Sequence, residues 1–98
     1  MRFNEIKKKV INCLNNQEYS HEIRKDIDVK NLFSCGQVSE SYVIELIKLT
    51  SGDTHETSPH HADNSITVHV FKPYKDGKYW YVKFYFIEPD VVFISVHT

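Results

Sequence analysis

The chain has 98 residues, a length that allows one domain, residues 1–98, with a single hydrophobic core. Hydrophobic residues make up 41% of the chain and the formal net charge is −1. This charge counts against RNA binding, although a local surface can be positive where the sum is not. Two cysteines are too few for a disulfide framework, and no apolar run approaches a membrane span or a signal peptide. We therefore expect a cytoplasmic protein with no membrane partner.

An amphipathic helix is predicted for residues 3–16. Its apolar side chains recur at steps of three and four residues, at Phe3, Ile6, Val10, Cys13 and Leu14. The run from Lys7 to Lys9 falls mostly on the other side of this helix. It is typical of a solvated helix face, with contact to phosphates or to an acidic partner as the alternative.

Two helices are predicted in the middle of the chain, the first from an irregular pattern and the second from a regular one. Isolated apolar residues among turn formers indicate a short helix somewhere in 20–33. A second helix is predicted for residues 40–50, with Ser39 as its cap and Val38 and Val43 as a hydrophobic staple. The apolar faces of the helices are the natural cover for a sheet.

Residues 51–64 are polar and predict a mobile loop that approaches the sheet. The loop carries three histidines, His55, His60 and His61, as candidate substrate contacts. The sequence His60-His61-Ala62-Asp63 has the residue types of a metal site, but adjacent histidines point apart in an extended chain. We therefore expect substrate contact here rather than a metal.

Three strands are predicted for residues 66–72, 78–87 and 91–97, because β-branched and aromatic residues alternate between short turns. Short turns require antiparallel pairing. The elements predict an α+β domain: two or three N-terminal helices on one face of a C-terminal antiparallel three-stranded meander, with room for one extra short strand.

Alternation divides the strands into two predicted faces. The apolar face, expected beneath the helices, comprises Ile66, Val68, Val70, Trp80, Val82, Phe84, Phe86, Val92, Ile94 and Val96. The other comprises Thr67, His69, Phe71, Tyr79, Tyr81, Lys83, Tyr85, Phe93, Ser95 and His97.

The predicted register depends on the two turns. Pairing Ile87 with Val91 places Tyr81 opposite His97 and Lys83 opposite Ser95. A two-residue turn at Asp76-Gly77 would place Val70 beside Lys83 and mix the faces. A longer turn keeps the apolar residues together, so we expect His69 to lie opposite or diagonal to Tyr81.

The expected result is a cross-strand row of His69, Tyr81 and His97, with Lys83 beside it. Two histidines and a cation suit phosphodiester cleavage, in which a base deprotonates a ribose 2′-OH and an acid protonates the leaving 5′ oxygen. A polar face with inert histidines is the alternative. Tyr79, Tyr81 and Tyr85 are candidates for stacking on nucleobases or for a protein interface.

The sequence resembles the MqsR-type toxins, the motility quorum-sensing regulator family of mRNA interferases, within the RelE-like bacterial ribonuclease toxins. The likeness is carried by the order and spacing of Leu49-Thr50-Ser51, Val70-Phe71-Lys72-Pro73, Tyr81-Val82-Lys83-Phe84 and the stretch from Asp90 to His97. The resemblance implies a type II toxin that cleaves mRNA without a metal or cofactor. It also implies a cognate antitoxin, with the ribosome as a further candidate partner.

The resemblance assigns roles to Lys72, Tyr81, Lys83 and His97, the last at a position where lysine is usual. Glu56 and Val68 stand where the family has a lysine and a glutamine, and His69, His55 or His60 are candidates to replace them. The sequence therefore predicts an endoribonuclease with His69, Tyr81, Lys83 and His97 as catalytic residues. Lys72, Tyr79, Tyr85, His55, His60 and His61 are the predicted substrate contacts. A non-catalytic, antitoxin-like or immunity-like binding protein is the alternative.

Overall fold

The computed structural model describes residues 2–22 and 31–98. Within these ranges the α-helices are α1 (Phe3–Asn15) and α2 (Glu40–Leu49), and a 3-10 turn spans Gly52–Thr54. The strands are β1 (Tyr19–His21), β2 (Glu56–Pro59), β3 (Thr67–Phe71), β4 (Tyr74–Lys75), β5 (Lys78–Tyr79), β6 (Tyr81–Ile87) and β7 (Asp90–His97). The predicted α+β class is confirmed.

The main sheet has five strands in the order β1-β7-β6-β3-β2, and β4 and β5 form a separate two-stranded sheet. Strands β3, β6 and β7 follow one another in antiparallel pairs, as the predicted meander requires. The predicted number of strands is too low. Strand β1 pairs in parallel with β7, and β2 pairs antiparallel with β3, so the meander is the centre of a mixed sheet.

Both predicted helices are present and bury the expected stripes. In α1 the buried residues are Ile6, Val10, Cys13 and Leu14, and in α2 they are Val43, Leu46 and Ile47. The Ser39 side chain accepts a hydrogen bond from the Tyr42 backbone N–H at 3.1 Å, which satisfies one of the unpaired donors at the start of α2. The helices pack on one face of the sheet, here called the inner face.

The opposite, outer face of the sheet is also partly buried. A second apolar cluster lies there, formed by Val68, Tyr85, Val92 and Ile94. Phe71 and Phe93, predicted on the polar face, instead belong to the core beneath the helices. Trp80, Val82 and Phe84 are buried in that core as predicted. The predicted positions under the helices are wrong for the residues that lie on the outer face instead: Ile66, Val68, Val70, Val92 and Ile94.

The turn at Asp76-Gly77 explains why the residues of β3 lie on the faces opposite to those predicted. Both residues have positive φ, 55° and 78°, which is the backbone geometry of a two-residue type I′ turn. From this turn the register runs without a shift: Tyr74 pairs with Tyr79, the Trp80 N–H donates to the Pro73 carbonyl, and Val70 pairs with Lys83. The longer turn predicted from the sequence is therefore wrong.

The β6–β7 pair contains a register shift between Lys83 and Phe84. At the turn Ile87 pairs with Asp90, not with Val91 as predicted. Beyond the shift Lys83 pairs with Ser95 and Tyr81 with His97, as predicted. A bulge inserts one residue into a strand, here Ile94, and so restores the predicted pairs.

Residues 51–64, predicted as a loop, contain regular secondary structure. The 3-10 turn is followed by β2, whose residue Thr57 pairs with His69 at the edge of the sheet. The predicted short helix in 20–33 falls largely on residues 23–30, which lie outside the described residues. On their two sides, His21 ends β1 and Asn31 forms a parallel bridge with Val96. No helix in residues 2–22 or 31–98 is long and apolar enough to cross a membrane.

Phe84→Ala should lower the free energy of unfolding by about 3–5 kcal/mol, because the ring is fully buried and contacts Phe71 and Phe93. Ile87→Ala on the same strand is the matched control, since Ile87 is 49% exposed. It should change stability by no more than about 0.5 kcal/mol. Urea denaturation measures both values, and equal losses for the two variants would contradict the inner-face assignment.

Candidate functional site

Three strands bring basic and aromatic side chains together on the outer face. Tyr81 pairs with His97 across β6 and β7. Lys72 follows the last residue of β3, between the Phe71–Val82 pair and the hydrogen bond from the Trp80 N–H to the Pro73 carbonyl, and this register places it across from Tyr81 on the other side. The cross-strand row is therefore Lys72, Tyr81 and His97. With Lys83, two residues farther along β6 on the same face, these residues are here called the outer site.

The Tyr81 ring holds the His97 imidazole in a stacked position. Their centroids are 5.1 Å apart and their planes differ by 23°. His97 Nδ1 lies 3.1 Å from the backbone oxygen of Thr98, which can only accept, so Nδ1 carries the proton. In the neutral ring Nε2 then keeps its lone pair and can accept a proton.

The lysines of the outer site supply positive charge on a half-buried surface. Lys83 lies between Val70 and Ser95 in the sheet, so one small apolar and one small polar residue flank its side chain. Lys72 makes an ion pair with Glu56 of the neighbouring strand. A phosphate at the outer site would compete with Glu56 for Lys72 and meet Lys83 directly.

Tyr85 and His60, predicted as substrate contacts, lie away from the outer site in a largely buried network at the other end of β6. The Tyr85 hydroxyl donates to Glu22 Oε1 at 2.9 Å, and His60 Nε2 lies 2.6 Å from the same oxygen. The Ala62 N–H donates to His60 Nδ1, so Nε2 carries the proton and donates to Glu22. This network ties residues 60–62 to the sheet, and His61 stacks on His60 at 4.6 Å.

His69 is absent from the predicted row because the register turns it to the inner face. It pairs with Phe84 in the sheet, stacks on that ring at 5.5 Å, and is only 7% exposed. His55 lies next to it, with His55 Nε2 3.1 Å from His69 Nδ1. The prediction that His69 lies beside Tyr81 is therefore wrong.

The two inner histidines open on a cavity of about 300 Å³. Its lining residues are Ile6, His55, Thr57, Thr67 and His69. Burial, with a smaller contribution from the neighbouring His55, lowers the pKa of His69 to about 4. Burial also lowers the pKa of His55. Both rings are therefore neutral at physiological pH. Among the described residues, no lysine or arginine lines this cavity.

The structure offers little support for other chemistry among the described residues. No group of three or more His, Cys, Asp or Glu side chains in residues 2–22 and 31–98 is placed to hold a metal ion. Cys13 is buried, and its burial raises the pKa of the thiol, which disfavours the reactive thiolate. Cys35 is exposed and free.

Sequence reasoning missed the position of Lys72 in the row and the pairing of His55 with His69. The Asp76-Gly77 dipeptide is the signal that identifies the first, because it sets the register that places Lys72 across from Tyr81. The second follows only from β2, which the polar composition of residues 51–64 concealed.

No protein-family model matches this chain, and no curated protein matches it either. The assignment of a function therefore depends on the residues of the outer site and of the inner cavity.

The inner histidine pair predicts a loss of stability in acid. Histidine in the unfolded chain has a pKa of about 6.5, whereas folding lowers the pKa of His69 to about 4. Between these values the unfolded chain binds more protons than the folded one. The contribution of His69 to the free energy of unfolding is therefore fully present above about pH 6.5 and is lost as the pH falls towards about 4. Urea denaturation at several pH values measures this slope.

His69→Asn removes the titrating ring but keeps a polar atom near Nδ1, so it should flatten the acid slope. His97→Asn on the outer face is the matched control and should keep the wild-type slope, since it leaves the buried pair intact. An unchanged slope in His69→Asn would contradict the assignment of acid sensitivity to the pair.

Proposed function

We propose that this protein is a metal-independent endoribonuclease of the toxin type, and that the outer site is its active site. The observation that carries the proposal is the position of Tyr81, Lys83 and His97 on one face of β6 and β7, with Lys72 beside them at the end of β3. These are the four positions to which the resemblance to MqsR-type toxins assigns roles. Their convergence supports that resemblance, because one change of register would separate them.

His97 is the proposed general base. Its Nε2 removes the proton from the ribose 2′-OH, and the resulting oxygen attacks the adjacent phosphorus. The ammonium group of Lys83 offsets the charge that develops on the phosphorane and donates a proton to the departing 5′ oxygen. The Tyr81 ring positions the imidazole through the observed stack. The products are a 2′,3′-cyclic phosphate and a 5′-hydroxyl.

The inner cavity is the weaker candidate for the same chemistry. His55 and His69 contact each other rather than standing on either side of an open space for a phosphate. The low pKa of His69 makes it a weak base near neutral pH. The lining residues in the described part of the chain include no lysine or arginine to neutralise a phosphorane. We therefore assign His55 and His69 to packing, not to catalysis.

The proposed setting follows from the toxin class. The substrate is mRNA, the neutralising partner is a cognate antitoxin, the ribosome is a candidate site of action, and the protein acts in the cytoplasm. A non-catalytic binding protein is the second candidate, favoured by the net charge of −1 and by exposed tyrosines. Growth arrest on expression without a partner separates the two, since a binding module does not cleave mRNA.

His97→Ala should lower the rate of RNA cleavage by roughly 10²–10⁴-fold, the usual contribution of a general base, and abolish growth arrest. Lys83→Ala should also impair cleavage. Both side chains are half-buried at the surface, so the melting temperature should stay close to that of wild type. A fluorophore–quencher RNA reports the cleavage rate.

His69→Asn is the matched control on the opposite face and should cleave as well as wild type. If His69→Asn loses cleavage while His97→Ala keeps it, the active site lies in the inner cavity and the outer-site proposal is wrong.

Cleavage should continue in excess chelator, because the proposed mechanism uses only side chains. A single 2′-deoxy nucleotide at the scissile position should block it, since the nucleophile is then missing. Mass spectrometry of the products should detect the cyclic phosphate. A 5′-phosphate product would contradict attack by the 2′-OH and require an external water as the nucleophile.

A further inference from the structure

The β4–β5 hairpin leaves two large aromatic side chains open to solvent beside the outer site. Tyr79 is 74% exposed and Tyr74 is 55% exposed. Their ring centroids lie 4.8 Å apart at an interplanar angle of 63°. Tyr85 and Trp80 on neighbouring stretches of the same chain are each only 8% exposed, so the fold does cover other aromatic rings nearby.

The tyrosine pair lies on the same face as the outer site. Tyr74 pairs with Tyr79 in the register that also pairs Val70 with Lys83. Because side chains alternate along a strand, Tyr74 shares a face with Lys72, and Tyr79 shares a face with Tyr81. Each tyrosine is two residues from the row, roughly 6.8 Å along its strand. One nucleotide step along an extended RNA strand spans a comparable distance.

The other side of the hairpin is fixed to α2. The Tyr42 hydroxyl donates to Asp76 at 2.7 Å, and Lys75 makes an ion pair with Glu45 at 2.9 Å. The Trp80 indole N–H donates to the Lys75 carbonyl at 3.2 Å. These contacts hold the hairpin from behind and leave its tyrosines uncovered. An aromatic surface held in this way loses little conformational entropy when a flat ligand stacks on it.

We propose that Tyr74 and Tyr79 form a stacking subsite for an unpaired nucleobase, one nucleotide from the phosphate held at the outer site. The inference rests on the proposed ribonuclease function and narrows its substrate to single-stranded RNA. A base in a duplex already stacks on its neighbours, whereas an unpaired base offers a free π face to a tyrosine ring. The adjacent Lys83 and His97 favour a polyanion over an apolar protein partner.

The test is fluorescence anisotropy with a short single-stranded RNA that carries 2′-methoxy groups, so that it binds without being cleaved. An oligomer of the same length with abasic positions provides the backbone alone. Tyr79→Ala should weaken binding of the base-containing RNA by roughly 5- to 150-fold, the usual effect of losing one stacked base. Binding of the abasic oligomer should not change.

Two controls separate stacking from other effects. Tyr79→Phe keeps the ring and should bind as wild type does. Leu49→Ala removes another exposed apolar side chain, 55% exposed on α2, and should also leave binding unchanged. Duplex RNA of the same sequence should compete poorly with the single strand.

The outcomes distinguish the subsite from the function on which it rests. If Tyr79→Ala binds the base-containing RNA as wild type does while Lys83→Ala binds it weakly, the subsite is wrong and the ribonuclease proposal stands. Equal weakening for the abasic oligomer, or equal competition by duplex, overturns stacking in the same way. If wild type binds no RNA at all, both proposals are wrong, and the hairpin is better explained as a protein-docking surface.

Discussion

The two-residue turn at Asp76 and Gly77 determines which side chains share each face of the sheet. Both residues adopt positive φ, a conformation that asparagine, aspartate and glycine tolerate better than other residues. The register that begins there continues through β4–β5 into β3–β6 without a shift. It puts Lys72 across from Tyr81 and sends His69 under the helices. A turn one residue longer would reverse both placements.

The β-bulge in β6–β7 is the second constraint on the outer site. The turn after β6 would, without correction, leave His97 out of line with Tyr81. The register shift after Lys83 adds one residue to β7 and brings His97 opposite Tyr81. Bulges re-aim side chains in this way and are frequent beside active sites. The outer site thus depends on one tight turn and one bulge, both some distance from the residues that they position.

The sequence predicted the helices and the central strands because their hydrophobic periods are long and regular. The α1 stripe ending at Leu14 and the β6 run from Tyr81 to Ile87 are clear examples. It predicted the faces of β3 wrongly, because Val68, Val70 and Phe71 are all apolar and alternation alone leaves their orientation ambiguous. The sheet buries residues on both faces, so the assumption of one apolar and one polar face fails.

The sequence predicted the β6–β7 part of the candidate site but not the β3 part. The pairing of Tyr81 with His97 and of Lys83 with Ser95 was predicted, although an error of one residue at the turn was offset by the unforeseen bulge. The placement of His69 failed because the preference for uniform faces was given more weight than the local turn chemistry of Asp76-Gly77. Local turn chemistry is the better guide where both faces of a strand are apolar.

The most direct test of the account is an NMR titration of the histidine ring signals with an uncleavable single-stranded RNA, each signal assigned from a single His→Asn variant. We predict that the His97 ring signal shifts with increasing RNA, while the signals of His55 and His69 stay in place. Shifts of His55 and His69 with an unmoved His97 would contradict the assignment of the outer face as the RNA site.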